Sequence, residues 1–250
     1  MILRRIASAL KRQDWATVLI EFILVILGVL IALQVNNWNE ARIDKRVEQE
    51  AALRLHAELL ANIDDAEERI QFYSGKQTLL NEYYVFLTGG ADSRPDDDAL
   101  RAALCRQGVL FMGRQTNSVY QELISTGRLG LISDIPARDA LAAFHGNVAS
   151  ANAFIADLAH VRRDAYAQVD QFRTRMATDD VIGVATCAFD YLSFEAHGRA
   201  PHIVAELGQL EAALITINTF IRDSATAGAE SLRAAYPALI SASPEEESQQ

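Results

Sequence analysis

The sequence predicts an all-α protein: an N-terminal transmembrane helix continues into a long juxtamembrane helix, followed by an antiparallel helical bundle domain. Three observations carry that expectation. One apolar run near the N-terminus is long enough to cross a bilayer. Three later stretches place apolar residues at alternating steps of three and four. Strand signals are nearly absent.

Half of the 250 residues are hydrophobic, so the chain can bury a core. Its charge is unevenly placed. Residues 1–46 hold seven Lys/Arg against four Asp/Glu, whereas the whole chain carries −10. The domain beyond the span is therefore strongly acidic. It repels nucleic acid phosphates and anionic lipid heads, and nucleic acid is not an expected partner. No zinc-finger spacing, P-loop or basic aromatic stripe argues otherwise.

Residues 1–15 form a short basic tail with Arg4, Arg5, Lys11 and Arg12. Residues 16–35 are almost wholly apolar. At helical rise, roughly 20 residues match a hydrocarbon core of about 30 Å. Trp15 and Trp38 flank the run as interfacial anchors. A cleaved signal peptide is the rival reading, but the run is long for one and no A-x-A site follows it. Four basic residues precede the span; Arg42, Lys45, Arg46 and Arg54 follow it. A short basic tail stays cytoplasmic, which places the larger domain outside. The expected location is a bacterial inner membrane, with a periplasmic domain.

Within the span, Glu21, Gly28 and Ala32 recur at helical spacing and share one face. Gly28 and Ala32 form a small-xxx-small pair that lets helices approach closely. One reading is a helix–helix contact, with a second copy or another membrane protein. The plainer one is a Glu that snorkels beside incidental small residues.

Glu21, Gly28 and the segment Leu33-Gln-Val-Asn-Asn-Trp-Asn-Glu40 resemble a family of uncharacterised bacterial single-pass membrane proteins. Its members carry E-x6-G-x4-L-Q-[IV]-N-N-W-N-E ahead of a helical domain. The stretch from Ser118 to Asp134, with Tyr120, Leu123, Gly127 and Leu129, is similar to a central segment of that family. The resemblance covers a small share of the chain. It implies a membrane anchor and a helical domain of unknown function, and supplies no catalytic residues.

The helical domain is expected over residues 36–242. Its first long helix spans about 39–87, with Leu59, Ile63, Ala66, Ile70 and Tyr73 as a heptad-like, coiled-coil stripe. Gly89-Gly90 and Pro95 mark a loop, and Asp96 to Asp98 cap a short helix running to Arg106. The run Gly108–Gly113 is a buried turn or a small strand. Asn117 or Ser118 caps a helix that ends at Gly127. Ser133-Asp-Ile-Pro136 starts a second long helix over about 136–177. Its stripe is Leu141, Phe144, Val148, Ala151, Ile155 and Leu158, resumed after Arg162 by Ala165, Val169, Phe172 and Met176. Thr178-Asp-Asp180 and Gly183 break it. Pro201 opens a third helix over about 201–225, and residues 243–250 are an acidic disordered tail.

Candidate chemistry is sparse. The five histidines form no zinc spacing; Glu195, His197 and His202 are the nearest approach and read as a polar loop. No nucleophile motif appears, and no catalytic, metal or cofactor site is expected. Cys105 and Cys187 are either a disulfide or two buried thiols. The functional expectation is an interaction, scaffold or sensory module on a membrane anchor. The alternatives are a membrane-bound enzyme with its site in the bundle, around Tyr120, Glu122, Arg128, His145 or Glu195, and a subunit of a larger envelope complex.

Overall fold

The computed structural model describes residues 15–105, 117–175 and 187–241. The basic tail, the Gly108–Gly113 run, Met176, the break at 178–183 and the acidic tail lie outside the described residues. Among the described residues there are seven α-helices and one two-stranded ribbon. Helix α1 spans Trp15–Leu87, α2 Asp97–Cys105, α3 Ser118–Ser125 and α4 Ile135–Ala167. Strands β1 (Arg173–Arg175) and β2 (Cys187–Phe189) precede α5 (Tyr191–Glu195), α6 (Ala200–Ala235) and α7 (Pro237–Ile240). The chain divides into two compact units, Met1–Glu50 and Ala51–Gln250.

In the first unit, α1 presents apolar side chains to the outside on every face. Leu19 through Val35 are exposed throughout. The most apolar window has a mean hydropathy of 2.4 and no buried share. Such a surface is unfavourable in water and suits a hydrocarbon surround. Among the described residues this is the one helix long and apolar enough to cross a membrane.

In the second unit, three long helices pack side by side. Asn147 of α4 bonds Ser224 of α6, and Gln168 bonds Glu206, so rising numbers on α4 meet falling numbers on α6. Gly228 lies against Leu59 of α1 and Gly208 against Leu80 and Asn81, so α6 runs antiparallel to α1 as well. The apolar core has two parts. One gathers Leu55, Leu59, Leu141, Phe144, Ile221 and Leu232 with their neighbours. The other gathers Leu80, Tyr83, Leu104, Tyr166, Phe194 and Leu207.

Local chemistry sets the ends. Asp134 Oδ1 accepts from Ala137 N at 2.8 Å, with Pro136 in the first turn of α4. Asp96 Oδ1 caps α2 through Ala99 N at 2.9 Å. Gly89 and Gly127 hold φ of 78° and 68°, where a side chain would be strained.

Three expectations are corrected. Helix α4 stops at Ala167 instead of running to 177. Val169 and Phe172 stay buried by turning through a 3₁₀ segment over Asp170–Phe172, where Phe172 meets Phe194 edge to face at 5.1 Å. The chain then enters the ribbon, in which Arg173 lies opposite Phe189 and Arg175 opposite Cys187. Helix α6 continues past residue 225 to Ala235, because Ala225, Ala229 and Leu232 extend its buried stripe. Asn117 precedes α3 without a side-chain cap. Glu58 of α1 supplies the acceptor instead, taking Val119 N at 2.9 Å and Ser118 Oγ at 3.2 Å.

Candidate functional site

The 3-4 spacing of α1 produces an unusual interior. Leu59, Ala66, Tyr73 and Leu80 occupy one heptad position, all buried. The companion position reads Leu55, Asn62, Arg69, Lys76 and Tyr83, polar at three consecutive turns of the repeat. Helix α6 does the same with Glu211 and Asn218, and α4 with Arg162. The helices therefore meet in a polar layer, between the two halves of the apolar core.

Glu211 is the anionic centre of that layer and is fully buried. Its Oε1 accepts from Lys76 Nζ at 2.8 Å and from the Tyr166 hydroxyl at 3.3 Å. Lys76 also donates to the Tyr166 oxygen at 3.0 Å. Arg162 Nη2 stands 3.6 Å from the same Oε1. Its guanidinium carbon lies 5.4 Å from the centre of the Tyr166 ring. The Arg162 side chain is only 5% exposed, yet none of its three nitrogens makes a hydrogen bond among the described residues. Arg69 donates from Nε to the Asp65 carbonyl at 2.9 Å. Burial lowers its pKa, and the nearby Asp65 charge opposes that shift. Asn62 and Asn218 donate to carbonyls one turn back on their own helices, both at 2.7 Å.

A second constellation closes the end of the bundle at Leu87. Cys105 and Cys187 form a disulfide, with Cα atoms 5.6 Å apart. Arg94 donates to Glu195 at 2.8 Å and to Asp97 at 2.9 Å, and stacks over Tyr191 at 4.4 Å. Tyr83 donates to the same Glu195 oxygen at 3.2 Å. Burial, then the Glu195 charge, pushes the Tyr83 hydroxyl above its usual pKa. An open groove of about 500 Å³ lies beside this cluster, between Thr78, Asn81 and Glu82 of α1 and the loop residues Ser93, Arg94 and Pro95.

Comparison with protein-family models, with curated proteins and with solved structures finds no match. The functional reading therefore rests on the residues themselves.

The residues named in the sequence fall as follows. Glu21, Gly28 and Ala32 are exposed on α1, spaced to share a face, and a Cβ on Gly28 would meet nothing within 4 Å. Trp38 is 68% exposed; the Trp15 side chain lies outside the described residues. Tyr120 and His145 are brought together as stacked rings with centroids 3.6 Å apart. Burial pulls His145 down to a pKa of about 4 and raises that of Tyr120. Glu122 instead pairs with Arg54 at the surface, and Glu195 belongs to the Arg94 cluster. His197 packs edge-on against Phe172 at 5.4 Å. Among the described residues no three His, Cys, Asp or Glu side chains are grouped to hold a metal.

Sequence reasoning missed the polar layer. It followed only the apolar stripe of α1, and it set Arg162 outside the stripe of the second long helix. Two signals were present: the seven-residue steps Asn62-Arg69-Lys76 and Glu211-Asn218. Each falls in phase with flanking residues that are buried, Leu55 and Tyr83 on α1 and Val204 and Ala225 on α6.

Proposed function

We propose that this chain is a single-pass protein of a bacterial inner membrane whose helical domain is a non-catalytic interaction, scaffold or sensory module. Its N-terminus is cytoplasmic and the helical domain periplasmic. The observation that carries this reading is that α1 supplies both the exposed apolar stretch and the first long helix of the bundle. The Cys105–Cys187 disulfide supports an oxidising compartment for the domain. The resemblance of Leu33–Glu40 to the segment of a family of uncharacterised membrane proteins supports the same placement. Glu21, Gly28 and Ala32 supply a contact face in the bilayer for a second copy or a membrane protein partner. The enzyme alternative is weaker, since Tyr120 and His145 meet as stacked rings rather than as a hydrogen-bonded proton-transfer pair.

A C-terminal fusion tests the topology. Alkaline phosphatase should be active there and a reporter that fluoresces only in the cytoplasm should be dark; the reverse result rejects the periplasmic placement. Cross-linking in membranes tests the contact face, where Gly28→Leu should reduce cross-linked dimer or heterologous adduct. Equal yields from both chains reject that face.

A further inference from the structure

We propose that the polar layer of the bundle binds a small oxyanion, a carboxylate or a sulfate-like group, on the guanidinium of Arg162. The charge arrangement carries the inference. Two cations, Lys76 and Arg162, stand around one buried carboxylate, Glu211, and a third, Arg69, is buried one heptad from Lys76 along α1. Lys76 holds that carboxylate at 2.8 Å, whereas Arg162 stands back at 3.6 Å with no hydrogen bond from any nitrogen. Arg69 has Asp65 as a nearby negative charge on its own helix. All three Arg162 nitrogens lack a hydrogen bond among the described residues, against one, Nη2, on Arg69; Glu211 Oε2 is likewise without one.

A buried cation without hydrogen bonds is expensive to keep. Arginine cannot relieve the cost by losing its proton. A planar fork of N–H donors is complementary to an oxyanion, which accepts two of them in parallel. The Tyr166 ring covers one side of the guanidinium, and the donors lie on its edge. The buried apolar stripe of α4 is interrupted between Ala151 and Leu158. Residues 152–157 belong to neither part of the apolar core, and most are exposed.

This inference gives the sensory reading a ligand class and rests on that reading only for its biological use. Binding is measured on the purified full-length chain in detergent, so its failure leaves the topology and cross-linking results standing. Thermal unfolding is followed in sodium acetate and in sodium sulfate, each against sodium chloride at matched ionic strength. The expected result is a saturable rise of the unfolding midpoint with at least one oxyanion beyond the chloride curve. Arg162→Met should abolish it. Arg162→Lys keeps the charge without the fork and should weaken half-saturation at least tenfold. If Arg162→Met fails to fold, Arg162→Lys decides. Wild-type curves that follow chloride in both salts overturn the proposal. So does a saturable rise that survives unchanged in the substituted chain.

Discussion

Lys76 of α1 and Glu211 of α6 meet at 2.8 Å inside the bundle, with side chains 11% and 1% exposed. The pair is surrounded by protein, so removing one partner strands the other. Glu211→Gln leaves Lys76 and Arg162 without their shared carboxylate and should cost about 3–5 kcal/mol. Replacing Lys76, Arg162 and Glu211 together by Met or Leu removes the stranded charges and should be nearly neutral or stabilising. Denaturant unfolding of the full chain in detergent distinguishes the two outcomes.

The disulfide closes a separation of 82 residues. The chain-entropy relation puts its contribution at about 4–5 kcal/mol. Cys105→Ser with Cys187→Ser should lower stability by that order. Native protein digested without reductant should yield a Cys105–Cys187 cross-linked peptide. Two alkylatable thiols would count against both the bond and the oxidising compartment.

Glu58 is buried while accepting from Val119 N and Ser118 Oγ. Glu58→Ala leaves the first turn of α3 uncapped and should cost about 1–3 kcal/mol. Hydrogen exchange should show the loss first at the amides of Val119 and Tyr120.

His145 has a pKa of about 4, held down from 6.5 by burial. Its unfolded form binds a proton more readily between those values. Its stabilising contribution is therefore complete above about pH 6.5 and is lost as the pH falls toward 4. His145→Phe keeps a ring on Tyr120 without the titration. Unfolding midpoints measured across that window should fall less steeply for the variant than for wild type.

Gly228 sits where a Cβ would come 3.2 Å from Leu59 Cδ1. The leucine tip can yield a little, and alanine favours the helix by about 1 kcal/mol. Gly228→Ala should therefore change stability little. Gly228→Leu overfills the α1–α6 contact and should cost about 1–3 kcal/mol. Equal melting of the two variants would show that the helices do not meet there.

Where the sequence had strong local chemistry, the fold could be read directly. Gly89 lies two residues past Leu87, the last residue of α1, and Asp134 with Pro136 opens α4. The apolar stretch of α1 is visible because it is long and nearly all its residues are apolar, on every face of the helix. The ribbon was not visible, since three-residue strands are too short to show alternation. The end of α4 was missed for a different reason. Val169 and Phe172 are apolar in helical phase, yet they reach the core through a 3₁₀ turn. The polar layer was hidden because a charged residue reads as solvated until its neighbours on other helices are known. Glu58 could not be identified as a cap, because its partners lie 60 residues or more away in sequence.

The polar layer also fixes how far α6 can slide along α1. Apolar heptad positions alone tolerate a shift of one repeat, since leucine replaces leucine. Here such a shift moves Asn218 opposite Lys76 and carries Glu211 to the level of Tyr83. The lysine would lose its carboxylate and the glutamate its cation. Mispaired assemblies of this bundle are therefore penalised by stranded charge, and one sliding position is selected during folding.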